Sequence, residues 1–467
     1  MGEIMKSLRP KMVMVPYPAQ GHVTPMLQLA SAFLSRGFDP VVVTPAFIHC
    51  KIAPKFNPRD GITCMSIPDG LDLDDKAPRD FFAIETAMER HMPLHLERLL
   101  RKFLEEEDGG GVACVVVDLL ASWAIRVADI CEVQVAGFWP VFLACYQLIS
   151  AIPQMLAAGI ISETGNGLPK LKGSTCTVPG LPAISTEDLP WMIGTSAARA
   201  SRFKFWIRTL DRSRTLRWII TNSAPEEPHE YHPLPNHWPN DLGQGYPQIV
   251  PVGPLNKHAL STKVTFWEED MSCLEWLDKQ RSNSVVYVSF GSWVSPIGDG
   301  KIRSLALALE ASGCPFIWVL GLSWREGLPA GYAERVSKQG RIVSWAPQIE
   351  VLQHRAVGCY LTHCGWNSTM EAVQCRKPLL CYPVAGDQFV NCAYIVKVWR
   401  VGVKMNGFGQ RELEECLKNL KEDREITQNL WGQYERMMGM NASSRATAYL
   451  TAFLDELKKP RVHSLFC

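Results

Sequence analysis

The sequence carries almost no net charge, and it lacks the short motifs of two large enzyme classes. Its 467 residues include 48 lysines and arginines against 47 aspartates and glutamates. No basic field is therefore available to recruit nucleic acid or an anionic membrane. No GxGxxG motif follows the first predicted strand, which argues against a dinucleotide-dependent oxidoreductase, and no GxSxG motif supplies the serine of a hydrolase triad.

Charged residues are also missing from Val135 to Ile161, a stretch that is long enough to span a bilayer. Prolines, glutamines and a glycine interrupt this stretch, so a buried strand, a turn and an apolar helix fit it better than a membrane span. The apolar residues near the N-terminus stop at Pro16 and are too few for the core of a signal peptide. We therefore expect a soluble, cytoplasmic protein without stable membrane insertion.

The 15 cysteines are scattered through apolar runs and do not form the framework of a small secreted domain. Free, buried thiols in a reducing compartment are the better interpretation. Cys359, His363 and Cys364 are close enough in sequence to suggest a zinc site, but no CxxC pair accompanies them. We expect neither a bound metal nor a cofactor.

The length of the chain and the order of its apolar segments predict two α/β domains, because a single core rarely grows to this size. Short apolar runs alternate with helical patterns from a first strand at Lys11–Pro16. The same alternation of strand and helix patterns begins again at Ser284–Phe290. This alternation indicates parallel sheets flanked by helices. We predict two facing Rossmann-like domains, at residues 1–255 and 271–467, with a linker at 256–270.

A histidine and an aspartate occupy positions where a parallel sheet brings residues together. His22 lies in the segment PAQGH after the first strand, just before a helix that Thr24 and Pro25 are predicted to open. Asp118 ends the apolar strand Val112–Val117. Because the carboxyl ends of parallel strands meet at one edge, the two side chains can form a general-base pair. For this pair alone, two helix caps are the competing explanation.

The segment from Trp345 to Gln388 contains the parts of a nucleotide-sugar site. Trp345 follows a strand and can stack on a base. Thr362–Ser368 turns from a strand into a helix that is predicted to begin near Asn367, and the free N–H groups of such a terminus bind a diphosphate without a metal. Glu371, one turn further on, can accept hydrogen bonds from ribose hydroxyls.

Three further residues of this segment offer polar groups to a sugar or a phosphate. His363 precedes the helix, and Asp387 and Gln388 follow another strand. Each residue of the segment also has a purely structural explanation, such as a core tryptophan, an N-cap or a capping-box partner. The full set, in this order and spacing, favours the nucleotide-sugar site.

The segment resembles the signature box of the plant family-1 UDP-dependent glycosyltransferases, which have the GT-B fold. PAQGH, the strand before Asp118, and Phe290-Gly291-Ser292 fall in the expected order, so the resemblance covers nearly the whole chain. It implies inverting, metal-independent transfer of a hexose from a UDP-sugar to a hydroxyl of a small lipophilic acceptor, such as a phenolic, flavonoid or terpenoid. We also expect the last helix, at about 443–460, to pack back on the N-terminal domain.

The resemblance implies a role for each matching residue. His22 corresponds to the catalytic base and Asp118 to its partner. The resemblance assigns uridine binding to Trp345, Ala346 and Gln348, and ribose binding to Glu371. It assigns pyrophosphate binding to Ser292, His363, Asn367 and Ser368, at the turn that contains Gly365. The implied sugar contacts are Trp366, Asp387 and Gln388. Glutamine at the last of these positions is usually associated with glucose donors, which makes UDP-glucose the expected donor.

Three positions depart from the usual pattern of the family. Arg376 stands where a glycine is common, which puts the turn after that helix in question, and Val384 replaces a frequent aromatic residue. Pro140 stands where many relatives have a hydroxyl residue that can touch the sugar. The two residues before it, Phe138 and Trp139, are candidates for an apolar acceptor pocket, with ordinary core packing as the alternative.

Rival functions are weaker on the same residues. Asp72-Leu73-Asp74 matches the DxD motif of metal-dependent glycosyltransferases. It lies in an acidic loop, however, and this composition indicates a solvated turn rather than a metal site. A sugar-nucleotide epimerase of the same architecture would not need an apolar acceptor pocket. A UDP-sugar-binding protein without turnover is disfavoured because both His22 and Asp118 are present.

Overall fold

The structure is a computed structural model. It describes residues 9–57, 60–71, 80–106, 110–167, 175–225, 247–255, 265–292 and 297–458. Most of the predicted linker and the DxD-like triplet Asp72-Leu73-Asp74 lie outside the described residues.

The first half of the chain forms a parallel seven-stranded sheet with the strand order β3-β2-β1-β4-β5-β8-β9. The strands of this sheet are β1 (Lys11–Val15), β2 (Asp39–Pro45), β3 (Thr63–Ile67), β4 (Val112–Asp118), β5 (Val135–Trp139), β8 (Trp218–Thr221) and β9 (Gln248–Pro251). A separate antiparallel pair consists of β6 (Thr175–Cys176) and β7 (Ile184–Ser185). The central strand β4 is an unbroken apolar run because helices cover both faces of the sheet.

Helices connect these parallel strands. In chain order they are α1 (Gln20–Leu34), α2 (Ala46–Ile52), α3 (Phe81–Arg90), α4 (Met92–Glu105), α5 (Trp123–Ile130), α6 (Leu143–Ser150), α7 (Ile152–Ala157) and α8 (Ser196–Ser213). The uncharged stretch from Val135 to Ile161 thus folds as the strand β5 and the two short helices α6 and α7. None of the helices in the described ranges is long and apolar enough to cross a bilayer.

The second half forms a parallel six-stranded sheet with the order β12-β11-β10-β13-β14-β15. Its strands are β10 (Val285–Ser289), β11 (Phe316–Val319), β12 (Gly340–Val343), β13 (Val357–Thr362), β14 (Leu379–Cys381) and β15 (Gly402–Lys404). Its helices are α9 (Ser272–Asp278), α10 (Asp299–Ser312), α11 (Tyr332–Arg335), α12 (Gln348–Gln353), α13 (Trp366–Gln374), α14 (Gln388–Ala393), α15 (Gln410–Glu422), α16 (Arg424–Met438) and α17 (Met440–Leu457). The architecture is therefore α/β with two parallel sheets.

The last helix, α17, lies against the first sheet rather than the second. The Phe453 ring packs against Phe33 and against Trp218, with ring centroids 6.4 and 5.4 Å apart. Glu456 accepts a hydrogen bond from the Trp218 indole and forms an ion pair with Arg217 at 2.9 Å. The chain therefore crosses back to the first domain before it ends.

The first helix begins earlier than the sequence indicates. It starts at Gln20, so Pro25 lies inside the helix and His22 belongs to its first turn instead of to a loop. The prediction of a helix opened by Thr24 and Pro25 is therefore wrong at its boundary. Pro25 is the sixth residue of this helix and has no N–H, so the Gly21 carbonyl lacks the i+4 hydrogen bond that another residue would donate.

Arg376 keeps the left-handed turn that a glycine would favour. Its φ is +53°, and the guanidinium carbon lies 4.0 Å from the Trp431 ring centroid and 3.9 Å from that of Tyr434. Cation–π contacts with two rings help to offset the backbone strain of a non-glycine residue in this region. The departure from the family pattern therefore leaves the turn itself in place.

Candidate active site

His22 and Asp118 meet at the carboxyl edge of the first sheet. Strands β1 and β4 are neighbours, with Val15 paired to Val117, so the turn after β1 lies beside the end of β4. The His22 Nδ1 atom is 2.8 Å from the Asp118 Oδ2 atom, and Asp118 is completely buried. The other carboxylate oxygen accepts the Leu120 backbone N–H at 3.0 Å. A carboxylate fixed in this way holds the proton on Nδ1 and leaves Nε2 as the basic nitrogen of His22.

The turn after β13 leads into a helix whose N-cap residue, a glycine, has no side chain that could cap the first N–H groups. Cys364 adopts φ +66° and Gly365 is the N-cap of α13, without a side-chain hydrogen bond to the helix. Trp366 is the first helical residue, one position before the predicted start. Uncapped N–H groups at this terminus, together with the helix dipole, form an anion site.

His363 is enclosed between two glycines. A Cβ atom added to Gly291 or to Gly365 would come within 2.6 or 2.4 Å of the His363 Nε2 atom. Burial lowers the pKa of His363 to about 4, so the imidazole is neutral at physiological pH and acts through hydrogen bonding. Ser292, next to one of these glycines, lines the same cavity.

Gln348 organises the residues around it. Its Oε1 atom accepts hydrogen bonds from the Tyr287 and Tyr360 hydroxyls at 3.0 and 3.2 Å. Its Nε2 atom donates to Ser368 Oγ at 3.0 Å and to a carboxylate oxygen of Glu371. The side chain predicted to contact uridine therefore holds the predicted phosphate and ribose ligands in place. Sequence reasoning missed these two tyrosines as partners that orient Gln348.

Trp345 and Ala346 both line the cavity. The Trp345 ring stacks on Trp267, with centroids 4.6 Å apart and an interplanar angle of 26°. One of its two ring faces is therefore already covered, and only the other remains for a nucleotide base. Sequence reasoning also missed Trp267, because it lies in the predicted linker, where no periodic pattern marks it.

Two residues of the second domain are joined to the first domain. The Trp366 indole donates a 2.7 Å hydrogen bond to the Asn222 carbonyl, and its ring stacks on Phe142 with centroids 4.5 Å apart. Asn367 Nδ2 donates a 2.9 Å hydrogen bond to the carbonyl of Gly21, the residue before His22. These contacts hold the start of α13 beside the histidine–aspartate pair.

Asp387 lies directly before α14 and faces the base from the opposite side of the cavity. Asn391 donates hydrogen bonds to the Asp387 carboxylate at 2.8 Å and to the Cys364 carbonyl at 2.9 Å. Burial raises the pKa of Asp387 to about 6, against the opposing effects of the Asn391 hydrogen bond and the charge of His22. The carboxyl group is thus desolvated and electrostatically coupled to His22.

Gln388 uses its carbonyl oxygen to shape the loop before it. This atom accepts the backbone N–H groups of Val384 and Ala385, each at 2.9 Å. The side-chain amide Nε2 is not needed for that contact, and Gln388 lines the cavity. The oxygen of the Gln388 side chain is therefore already engaged, and its amide N–H groups are the part left to donate to a ligand.

The described residues enclose a cavity of about 810 Å³ between the two domains. The predicted site residues that line it are His22, Trp139, Ser292, Trp345, Ala346, Gln348, His363, Gly365, Trp366, Asn367, Ser368, Glu371, Asp387 and Gln388. Asp118 lies behind His22. Phe138 is completely buried and does not line the cavity, so its assignment to the pocket is wrong. Adjacent strand residues point to opposite faces, and Trp139 takes the cavity side.

The first-domain half of the cavity is lined by residues that belong to no sequence motif. They are Tyr17, Phe81, Val141, Ile193, Arg202 and Trp206. They come from segments that lie far apart in the sequence, including α3 and α8. Only the fold brings them together, and no spacing in the sequence could have identified them as a set.

The cysteine arrangement differs from the zinc alternative considered above. Cys364 lies with Cys381 and Cys392, and the three buried sulfur atoms are all within 4.8 Å of one another. Cys359 and His363 are not part of this group. Every cysteine in the described ranges is a free thiol.

Two parallel α/β sheets face each other across this cavity, with a histidine–aspartate pair on one side and an open helix terminus on the other. This arrangement is that of a GT-B glycosyltransferase. Residues 255–432 match the family described as UDP-glucoronosyl and UDP-glucosyl transferase. The chain is 55% identical to UDP-glycosyltransferase 82A1 of Arabidopsis thaliana, over 96% of this chain and 99% of that protein.

The chain belongs to the plant family-1 UDP-dependent glycosyltransferases, and it is a UDP-glycosyltransferase. It is also 31% identical to UDP-glycosyltransferase 83A1 of Arabidopsis thaliana, over 91% of this chain and 90% of that protein. Among solved structures it resembles Medicago truncatula UGT71G1 complexed with UDP-glucose, with a TM-score of 0.79, 22% identity, and coverage of 98% of this chain and 100% of that chain. The predicted family and fold are thus confirmed.

Proposed function

We propose that this enzyme transfers glucose from UDP-glucose to a hydroxyl of a small lipophilic acceptor, with inversion and without a metal ion, in the cytoplasm. One observation carries the proposal. The His22–Asp118 pair, at 2.8 Å, opens into the same cavity as the uncapped start of α13. A base and a diphosphate site in one cavity are what direct transfer from a nucleotide sugar requires.

The reaction is a single displacement. His22 Nε2 removes the proton of the acceptor hydroxyl while Asp118 stabilises the imidazolium that forms. The acceptor oxygen attacks the anomeric carbon as the bond to the diphosphate oxygen breaks, so one bond forms, one breaks and the configuration inverts. The uncapped N–H groups of α13 receive the charge that develops on the leaving UDP.

The donor is held by the second domain. Trp345 offers one ring face to the uracil, Glu371 is fixed by Gln348 for the ribose, and the start of α13 takes the diphosphate with Ser292, Asn367 and Ser368. Gln388 presents its amide to the sugar hydroxyls, in keeping with a glucose donor. Neutral hydrogen-bond donors and the N-terminus of α13 stabilise the charge of the diphosphate, so no metal ion is needed there.

The acceptor binds in the first-domain half of the cavity. Aromatic and aliphatic side chains dominate there, with Phe81, Trp139 and Trp206 as the large apolar surfaces. Such a lining favours a small lipophilic molecule, and phenolics, flavonoids and terpenoids all fit this description. An epimerase would have no use for this half of the cavity.

Product analysis tests the proposal. Purified enzyme is incubated with UDP-glucose and a panel of phenolic and terpenoid alcohols in the presence of EDTA, and products are identified by mass spectrometry and by the NMR coupling of the anomeric proton. We expect β-configured products heavier by one hexose. UDP-galactose and UDP-glucuronic acid serve as competing donors.

A variant pair locates the base. His22→Ala is expected to lower kcat by about 10²–10⁴-fold, the usual contribution of general base catalysis, and to leave UDP-glucose binding intact. His95→Ala, on α4 and outside the cavity lining, is the matched control. Full turnover by the His22 variant, or complete dependence of the wild type on a divalent cation, would overturn the proposal.

A further inference from the structure

Arg202 is a cation in an otherwise apolar half of the cavity. It lies on α8 and is the only lysine or arginine among the described residues that line the cavity. Of the acidic residues of the lining, Glu371 and Asp387 belong to the second domain and Glu269 to the predicted linker. A positive charge beside Phe81 and Trp206 is therefore placed where the acceptor binds.

The Arg202 guanidinium is held in place without an acidic partner. Its Nη1 atom donates to the Ile193 carbonyl at 3.1 Å, and its carbon lies 5.1 Å from the ring centroids of both Phe81 and Phe82. Across the described ranges, no carboxylate oxygen is within ion-pair distance of it. The charged or titratable groups that act on it from further away are Tyr17, Asp80 and Glu85.

The neighbouring arginines of the same helix show what Arg202 lacks. Arg208 forms an ion pair with Glu85, and Arg212 binds Glu89 through two hydrogen bonds of 2.8 and 2.9 Å. The carboxylates of α3 are therefore already engaged about two and three turns further along α8. A partly buried guanidinium with unused N–H donors is suited to a carboxylate, which it can bind with two parallel hydrogen bonds.

Tyr17 connects this arginine to the catalytic base. The Tyr17 ring centroid lies 5.2 Å from that of His22. Burial and the charges of Asp118 and Glu85 raise the pKa of Tyr17, so its hydroxyl stays protonated, and the charge of Arg202 acts in the opposite direction. Arg202 on α8 and His22 on α1 both line the first-domain half of the cavity. A molecule anchored at one can present a hydroxyl to the other.

We propose that Arg202 binds a carboxylate of the acceptor, so that the enzyme prefers hydroxy acids with an aromatic or alicyclic body and glycosylates their hydroxyl. This inference rests on the proposed function and narrows its acceptor class. The guanidinium neutralises the carboxylate, the apolar walls bury the ring, and His22 deprotonates the hydroxyl at the other end.

Matched acceptor pairs test this inference. Hydroxybenzoic, hydroxycinnamic and alicyclic hydroxy acids are each compared with their methyl esters, using UDP-glucose and wild-type enzyme. We expect a higher kcat/KM for the acid of a pair, with product that resists mild alkali because the sugar is on the hydroxyl. In Arg202→Met, kcat/KM for the acid falls by about tenfold to a hundredfold, mostly through KM, and kcat/KM for the ester stays within about twofold.

Two further variants guard against a merely structural effect. Arg199→Met removes an arginine of the same helix that donates to the Gly194 carbonyl and does not line the cavity, so it should leave both acceptors unaffected. Arg202→Lys keeps the charge and should recover part of the preference for the acid; it also serves if the methionine variant does not fold.

The outcomes separate this inference from the proposed function. Equal losses for acid and ester in Arg202→Met, a wild-type preference for the esters, or an alkali-labile glucose ester as product would each overturn the carboxylate site while the transferase function stands. Absence of any product, with acids, esters and neutral alcohols alike, would overturn the proposed function and this inference with it.

Discussion

Asn367 of the second domain donates a hydrogen bond to the Gly21 carbonyl, which Pro25 deprives of its i+4 helical N–H. In α1 this carbonyl would normally accept the N–H of the residue four positions later, and proline has none. The free acceptor is therefore created by the sequence of the first domain and used by the second. It fixes the turn that carries His22 against the start of α13, where the diphosphate is expected.

Asp118→Asn is expected to lower kcat at least about a hundredfold with little change in UDP-glucose affinity. An asparagine amide can donate to His22 Nδ1, which favours the tautomer with its proton on Nε2 and removes the basic nitrogen from the cavity. Steady-state kinetics and calorimetric titration with UDP-glucose measure the two effects. Unchanged turnover in a folded variant would remove Asp118 from the mechanism.

Pro25→Ala and Asn367→Ala should be coupled. In Pro25→Ala the Gly21 carbonyl gains an intrahelical N–H, so the hydrogen bond from Asn367 becomes less necessary. Asn367→Ala removes this hydrogen bond together with the proposed diphosphate contact, so it is expected to lower kcat/KM by at least about fivefold to tenfold. Only the part due to the Gly21 hydrogen bond should shrink in the alanine background. Kinetics of the two single variants and the double variant give the coupling.

Asn429→Ala is the matched control for that cycle. Asn429 makes a similar amide-to-carbonyl hydrogen bond, to Arg400 at 3.1 Å, on the exposed surface. Its effects should be small and additive in both backgrounds. Strict additivity of Pro25→Ala with Asn367→Ala would show that the freed carbonyl plays no part in positioning the two domains.

The sequence predicts the two sheets and the His22–Asp118 contact for a common reason. Apolar runs of strand length define parallel strands, and parallel strands place their carboxyl ends on one edge whatever the intervening loops contain. The contact between residues almost a hundred positions apart therefore depends only on β1 and β4 being neighbours. The residues of the segment from Trp345 to Gln388 likewise follow the ends of successive strands, so the same edge of the second sheet brings them together.

Side-chain direction is less predictable. Both faces of β5 are buried, so its sequence does not reveal that Trp139 and not Phe138 points into the cavity. The direction of the Gln348 amide depends on two hydroxyls, from Tyr287 on β10 and Tyr360 on β13, that no local pattern relates to it. Long-range packing decides such details.

Gly365→Ala is expected to damage the donor site through a single steric contact. The φ of Gly365 is −61°, a value open to any residue, so backbone strain does not contribute. The added methyl group would approach His363 Nε2 to 2.4 Å and force the buried imidazole to move. We expect a loss of about 1–3 kcal/mol in the free energy of unfolding and weaker binding of UDP.

Gly321→Ala provides the control for this substitution, because an added Cβ there meets no atom within 4 Å. Its φ is −58°, so the two glycines are matched in backbone conformation. Thermal unfolding and titration with UDP measure both variants. Equal behaviour of the two variants would show that His363 does not need the space that Gly365 provides.

Asp387→Asn should change the pH dependence of stability in a defined direction. Because the pKa of Asp387 rises from 3.8 to about 6 on folding, the folded protein binds the proton more tightly than the unfolded chain. This stabilising contribution is complete below pH 4 and is lost as the pH rises through about 6. Asparagine does not titrate and can keep its oxygen as an acceptor for Asn391.

The variant should therefore gain stability relative to wild type as the pH rises from 4 to 7, while its transfer activity falls, because the carboxylate expected to contact the sugar is gone. Urea unfolding of both proteins at several pH values across this range, with kcat/KM at pH 7, measures the two effects. A difference in stability that stays constant with pH would show that Asp387 is not desolvated in the folded protein. A desolvated carboxylate lowers the stability of the folded protein at neutral pH and supports sugar transfer. Such a loss of stability in return for activity is expected of a functional residue.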